Sequence, residues 1–167
     1  DAIAFSSGMA AVDAVFHLFS PGDHVILGDD LYGGSIRLFT NIYEKNGVEF
    51  TYVGTSDLDA VQAAFKPNTK AVYIETPTNP MMEITDVRAL SKMAHDRNAL
   101  VIVDNTFLSP YFQKPLHLGA DIVVHSGTKF IGGHHDVISG FTIVKDDELA
   151  AQLRLIYKRS EERRVGK

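Results

Sequence analysis

Leu100-Val101-Ile102-Val103-Asp104, followed by Asp121-Ile122-Val123-Val124-His125-Ser126-Gly127-Thr128-Lys129, decides how this chain folds. Leu100 to Val103 is apolar at every position, too short for a helix and rich in β-branched residues. That pattern belongs to a strand buried on both faces of a sheet. An acid, Asp104, closes the first run, and Lys129 follows the second 25 residues later. Working outward, the spacing predicts further strands at 25–28, 49–53, 71–75 and 140–144, with the pair above at 100–104 and 121–125. Helical patterns fall between them at 9–19, 33–46, 57–65 and 86–97. In the last, Val87, Leu90, Met93 and Ala94 make one apolar stripe. Ser56 or Asp57, and Thr85, are the expected N-caps. Strands alternating with helices predict an α/β domain with a mostly parallel sheet and helices on both faces.

The bulk composition narrows the class. A length of 167 residues suits one domain with its own core. The absence of cysteine excludes a disulfide framework and any thiolate nucleophile or metal site. A net charge of -5 speaks against nucleic acid as a partner, and no apolar run is long enough for a membrane span. A cytoplasmic setting is the default. The chain starts inside an apolar element, Ala2-Ile3-Ala4-Phe5, without an initiator methionine, which reads as an internal fragment. Residues 158–167 hold five basic and two acidic side chains without apolar periodicity, and read as a non-native or disordered tail after a domain at 1–157, with a frayed basic helix end as the plainer alternative.

Open α/β sheets bind ligands beyond the carboxyl ends of their strands. Lys129, Asp104 and Glu75 with its Thr76-Pro77-Thr78-Asn79-Pro80 turn all map to such ends. Each alone has a bland reading: an acid after a strand is usually a cap or turn residue, and a loop lysine is usually solvated. Together they suit pyridoxal phosphate. The lysine forms an imine with its aldehyde, the acid keeps its ring nitrogen protonated, and hydroxyls with a helix N-terminus take its phosphate. Ser6-Ser7-Gly8-Met9-Ala10-Ala11 precedes an amphipathic helix and offers such an N-terminus. It is not a Walker loop, because no Gly-Lys-Ser/Thr follows, and Tyr32-Gly33-Gly34-Ser35 lacks the spacing of a dinucleotide fingerprint.

Ser7-Gly8-Met9-Ala10-Ala11, Asp30-Leu31-Tyr32-Gly33-Gly34, Glu75-Thr76-Pro77-Thr78-Asn79-Pro80, Asp104-Asn105-Thr106-Phe107 and His125-Ser126-Gly127-Thr128-Lys129-Phe130 stand in that order. With Gly133-His134 they resemble the Cys/Met-metabolism family of PLP enzymes: cystathionine γ-synthase, cystathionine β- and γ-lyases, methionine γ-lyase and the homoserine sulfhydrylases. The resemblance implies a fold-type-I PLP-dependent transferase large domain. It also implies roles. Lys129 would carry the cofactor and shuttle protons, in a desolvated site that lowers its pKa. Asp104 would pair with the ring nitrogen, and Tyr32 would stack on the ring and assist proton transfer. Ser126, Thr128 and the backbone of Gly8 and Met9 would hold the phosphate. Asn79 would lie near the ring O3′, and Thr106 beside the cofactor. A partner subunit's tyrosine and arginine, and a carboxylate-binding arginine of a further domain, belong to the family's site and not to this sequence. The chain alone is therefore expected to turn over no substrate, and the parent protein to form tetramers of shared-site dimers.

One position departs from the family pattern: His134-His135-Asp136 stands where a small polar residue commonly separates His from Asp. Adjacent side chains on an extended segment point apart and chelate poorly, so no metal is expected, and His135 is set aside as a variable loop position. Ser126-Gly127-Thr128-Lys129 also spells S-x-x-K of serine acyl-transferring enzymes, but it follows a strand and lacks the S-D-N and K-T-G partners. A fold-type-I aminotransferase remains the rival activity.

Overall fold

The fully apolar runs form the middle of the sheet. In the computed structural model, which describes residues 1–161, seven strands are present: β1 (Ala2–Phe5), β2 (His24–Gly28), β3 (Glu49–Val53), β4 (Thr69–Glu75), β5 (Leu100–Asp104), β6 (Ile122–Ser126) and β7 (Gly140–Val144). They lie in the order β1-β7-β6-β5-β4-β2-β3. The pairs β3–β2, β2–β4, β4–β5 and β5–β6 are parallel, whereas β7 runs antiparallel to both β6 and β1. The connection from β6 to β7 contains no crossover helix, and without one a neighbouring strand returns antiparallel. The mostly parallel sheet expected from the sequence is thus present, with one strand, β1, that the pattern had marked only as apolar.

Alternation along the strands sends two layers of side chains to opposite faces. Val25, Leu27, Ala71, Tyr73, Ile102, Ile122 and Val124 meet one set of helices: α1 (Gly8–Phe16), α2 (Gly33–Leu38) and α7 (Asp147–Glu161). A π-helical turn, Phe39–Tyr43, continues α2 and buries both of those aromatic rings. Ile26, Val72, Ile74, Val101, Val103 and Val123 meet the other set: α3 (Leu58–Ala64), α4 (Val87–His95) and, beyond the short α5 (Ser109–Phe112), α6 (Pro115–Leu118). Helices therefore cover both faces.

The caps differ in one place. Asp57 caps α3, its carboxylate accepting from the Asp59 and Ala60 amides at 3.0 and 3.1 Å. For α4 the cap is Asp86, which accepts from the Ala89 amide at 3.0 Å, and not Thr85. Thr85 is buried, donating its amide to Thr76 Oγ1 at 3.0 Å and sharing its hydroxyl with Thr55 at 2.7 Å. A residue stapled to two neighbours underneath cannot turn outward to cap. The supposed tail at 158–167 lies partly in α7, which runs to Glu161; 162–167 fall outside the described residues. Among the described residues no helix is long and apolar enough to cross a membrane.

Candidate active site

Parallel strands deliver their carboxyl ends to one side, so the residues that close β4, β5 and β6 gather there. Glu75 and Asp104 stand in register as neighbours, and Asp104 in turn lies beside Val124, just ahead of Ser126 on the same strand and of Lys129 beyond its end. The result is a cleft of about 520 Å³. All nine residues singled out from the sequence line it: Gly8, Met9, Tyr32, Asn79, Asp104, Thr106, Ser126, Thr128 and Lys129. A second hollow of about 320 Å³ on another part of the surface holds none of them. His125 faces that hollow rather than the cleft, because residues along β6 alternate sides. Burial pushes its imidazole below the ordinary value.

The acid is set by two neighbours. Asp104 Oδ1 accepts from the Thr106 amide at 3.0 Å, and Tyr73 donates its phenol to Oδ2 at 3.4 Å. Burial pushes the Asp104 carboxyl above its ordinary value, and the hydrogen bonds from Thr106 and Tyr73 offset part of that. A carboxylate so enclosed gains most from a cation in the cleft. Thr106 also accepts the Ser126 amide on its Oγ1 at 2.8 Å, which fixes the end of β6 to the end of β5. Between them Asn105 points the other way, fully buried. It donates to the Ser109 and Gln113 carbonyls at 3.1 and 2.9 Å and accepts from Gln113 Nε2 at 2.8 Å. The Asp-Asn-Thr sequence thus alternates site, scaffold, site.

At the head of α1, Ser7 Oγ accepts the Ala10 amide at 3.1 Å. The Gly8 and Met9 amides belong to the same first turn, where no intrahelical acceptor exists, and both residues line the cleft. Gly8 is required by proximity: a Cβ there would lie 2.7 Å from Ser126 Cβ. The close approach brings the Ser126 side chain up to the open amides, a setting for a phosphate or similar anion. The Thr128 hydroxyl donates to the Ser139 carbonyl at 3.3 Å and takes the Ser139 amide at 3.2 Å.

Lys129 presents the opposite situation. Its side chain is exposed, and among the described residues its ammonium makes no hydrogen bond or ion pair. The desolvation expected for it is therefore not supplied by the described residues. Tyr32 is 57% exposed and held through its backbone, the amide donating to Glu75 Oε2 at 3.0 Å. Asn79 is exposed in the turn after β4.

The structure adds residues that sequence reasoning passed over. Glu75 was placed at a strand end but given no role; strand register beside Asp104 was the signal that could have assigned one. Ser35, Phe107 and Phe130 also line the cleft, as does His135, the loop position set aside above, which adopts φ 58°. Among the described residues no three His, Asp or Glu side chains form a metal-binding group.

An amine, a half-buried carboxylate, a planar phenol and an anion cradle around one space of this size fit a flat, phosphorylated, cationic ring that carries an aldehyde, as pyridoxal phosphate does. The known proteins agree. The pattern of the Cys/Met metabolism PLP-dependent enzymes matches residues 1–162. A cystathionine gamma-lyase of Bacillus subtilis is 53% identical over 153 residues, which span 92% of this chain and 40% of that protein. A cystathionine gamma-synthase of Mycobacterium bovis is 51% identical over 147 residues, 87% of this chain and 38% of its own length. The crystal structure of cystathionine gamma-lyase from Lactobacillus plantarum complexed with L-serine superimposes with a TM-score of 0.92 at 51% identity, over 93% of this chain and 41% of that one. The chain thus spans about 40% of the length of the relatives it matches.

Proposed function

This chain belongs to the Cys/Met metabolism PLP-dependent enzymes, a fold-type-I family, and on that footing we propose that it is the cofactor-binding large domain of a transsulfuration enzyme. Its substrates are sulfur-containing amino acids or O-acylhomoserine, and its reaction is β- or γ-elimination or γ-replacement. When bound, pyridoxal phosphate supplies an electron sink for the charge left at the substrate Cα. The chain's own residues divide the remaining work. Lys129 offers the amine that joins the cofactor and moves the proton at Cα; its freedom from partners supports this, since an amine tied in an ion pair could do neither. Asp104 would hold the proton on the ring nitrogen, and the amide of Thr106 and the phenol of Tyr73 keep its carboxylate aimed. Tyr32 would stack on the ring and assist proton transfer. The Gly8 and Met9 amides with Ser126 bind phosphate. Thr128 joins them by keeping the Ser139 amide as donor and turning its own hydroxyl proton to the anion. Asn79, which lines the same cleft, would serve the ring O3′ and the substrate carboxylate.

The observation that carries this reading is that Lys129, Asp104 and the head of α1 line one cleft. Adding pyridoxal phosphate to the protein is expected to raise the visible absorbance band of a lysine-bound cofactor, and Lys129→Ala to abolish it. A band that survives Lys129→Ala refutes the assignment. The parent protein acts in the cytoplasm as a homotetramer whose dimers share sites, and the 167-residue chain alone turns over no substrate. An aminotransferase would differ by passing the amino group to a 2-oxo acid without breaking a bond at Cβ or Cγ.

A further inference from the structure

We infer that Glu75 is a positioning residue that couples the cation-binding acid to the stacking tyrosine: its carboxylate clamps the Tyr32 amide, and the clamp tightens when a cation lies beside Asp104. The geometry is specific. Glu75 closes β4 directly alongside Asp104 of β5. Its Oε2 takes the Tyr32 amide at 3.0 Å, the one hydrogen bond recorded for this carboxylate among the described residues. Only 8% of Glu75 is exposed, yet it lines the cleft. One backbone bond thus fixes where the exposed Tyr32 ring begins.

The charges around it make this bond adjustable. Asp104 from β5 and Asp30 from the segment before α2 both repel a charge on Glu75, and Tyr73 from its own strand brings only a neutral phenol. Lys129 and His135 also line the cleft and are not paired with it among the described residues. Burial first, then Asp104, pushes the Glu75 carboxyl up to about 7, against the Tyr32 amide, which pulls it down. At neutral pH Glu75 is therefore a mixture of acid and carboxylate. A carboxylate accepts an amide far better than a carboxylic acid does. A cation beside Asp104 removes the repulsion, ionises Glu75 and strengthens its hold on Tyr32. Binding at the ring-nitrogen position would in this way firm up the residue that covers the ring face.

The inference rests on the proposed function only in naming the cation as a pyridinium. The test uses the isotope-labelled chain and the Tyr32 amide as reporter, with pyridoxamine 5′-phosphate as probe, since it has the protonated ring but no aldehyde for Lys129. In the empty chain the Tyr32 amide shift is expected to titrate with a midpoint of about 7. Glu75→Gln is expected to flatten that titration while leaving the remaining amides in place. Asp104→Asn is expected to lower the midpoint by about one pH unit without any ligand, because it removes the like charge. The probe is expected to lower the wild-type midpoint by about as much, so that its affinity for the wild type relative to Glu75→Gln rises about ten-fold across that interval, the ionisation of the probe's own phosphate being common to both. A Tyr32 amide that does not titrate, or a midpoint indifferent to both Asp104→Asn and the probe, overturns the inference. If the probe binds but Tyr32 is silent, only this inference falls; if neither the probe nor pyridoxal phosphate binds, the functional reading falls with it.

Discussion

The two walls of the cleft are built on opposite terms. The acid wall, made of Glu75, Asp104 and Thr106 at the strand ends, is enclosed and hydrogen-bonded to backbone amides. The amine wall, made of Lys129, Phe130 and the loop through His135, is exposed, and its lysine has no partner among the described residues. The difference follows the chemistry each must perform. A group that holds one proton on a ring nitrogen works best fixed in advance, in surroundings that favour a cation. A lysine that must first be joined to the cofactor and then released to carry a proton needs freedom to move. Electrostatic strain is therefore stored on the acid wall alone, where two carboxylates lie side by side.

The sharpest break between the walls is Lys129→Ala. Covalent capture of pyridoxal phosphate, read from the visible band, is expected to vanish entirely. Stability is expected to stay within about 0.5 kcal/mol of the wild type by urea unfolding, because an exposed, unpaired side chain leaves nothing unsatisfied. Asp104→Asn is expected to behave the other way. The carbonyl of asparagine can still accept the Thr106 amide, so the wall keeps its shape, but the charge facing the pyridinium is gone. Affinity for pyridoxamine 5′-phosphate, measured by equilibrium titration, is expected to fall about a hundred-fold, or about 2.7 kcal/mol. The empty protein is expected to become more stable, by about 1 kcal/mol, since a buried carboxyl under like-charge repulsion has been relieved. Equal losses of affinity and stability in both variants would erase the contrast.

The strand-end residues of both walls were more legible in the sequence than their register and the loop that completes the cleft, for a physical reason. Strand ends are announced by continuous apolar runs, and the parallel arrangement puts those ends together whatever the loops do, so Asp104 and Lys129 could be placed in one crevice from Leu100–Val103 and Ile122–Val124 alone. Alternation then explains why Thr106 serves the site while Asn105 serves the scaffold. What the sequence could not carry was register and loop path. Glu75 was visible as a strand end, but its partnership with Asp104 depends on how β4 slides against β5. His135 was dismissed because an extended segment was assumed, whereas its left-handed φ of 58° turns it to line the cleft. The choice between Thr85 and Asp86 as cap depended on Thr55, 30 residues away in sequence. β1 was missed as a strand since its partner, β7, lies at the other end of the domain, with Ala2 opposite Ile143.

The strain on the acid wall has its own signature in stability. Glu75 ordinarily titrates at 4.5 and is pushed up to about 7 in the fold, so between those values the folded chain holds a proton that the unfolded chain has lost. Stability then falls as pH rises through that window, the reverse of an ion-paired carboxylate. Glu75→Gln cannot titrate. The stability of the wild type relative to Glu75→Gln is expected to drop by about 2 kcal/mol between pH 4.5 and about 7, measured by urea unfolding at each pH. A difference that stays constant, or one that grows with pH, would mean that Glu75 is not under strain in the empty site.

The smallest effect belongs to the amine wall. His135 is exposed and holds no hydrogen bond among the described residues, while its neighbour His134 bonds the Gly132 carbonyl at 3.1 Å. His135→Ala removes a ring from the cleft lining without uncovering a buried polar group, so stability is expected to change by less than about 0.5 kcal/mol. The one cost on the folded side is conformational: a left-handed φ is less favourable for alanine than for histidine, whose type is enriched there. Affinity for pyridoxamine 5′-phosphate is expected to shift by less than about three-fold, because the anion cradle and Asp104 lie on other elements. A ten-fold loss would mean that the amine wall, too, holds the cofactor in place before the lysine reacts, and the division of labour between the walls would have to be redrawn.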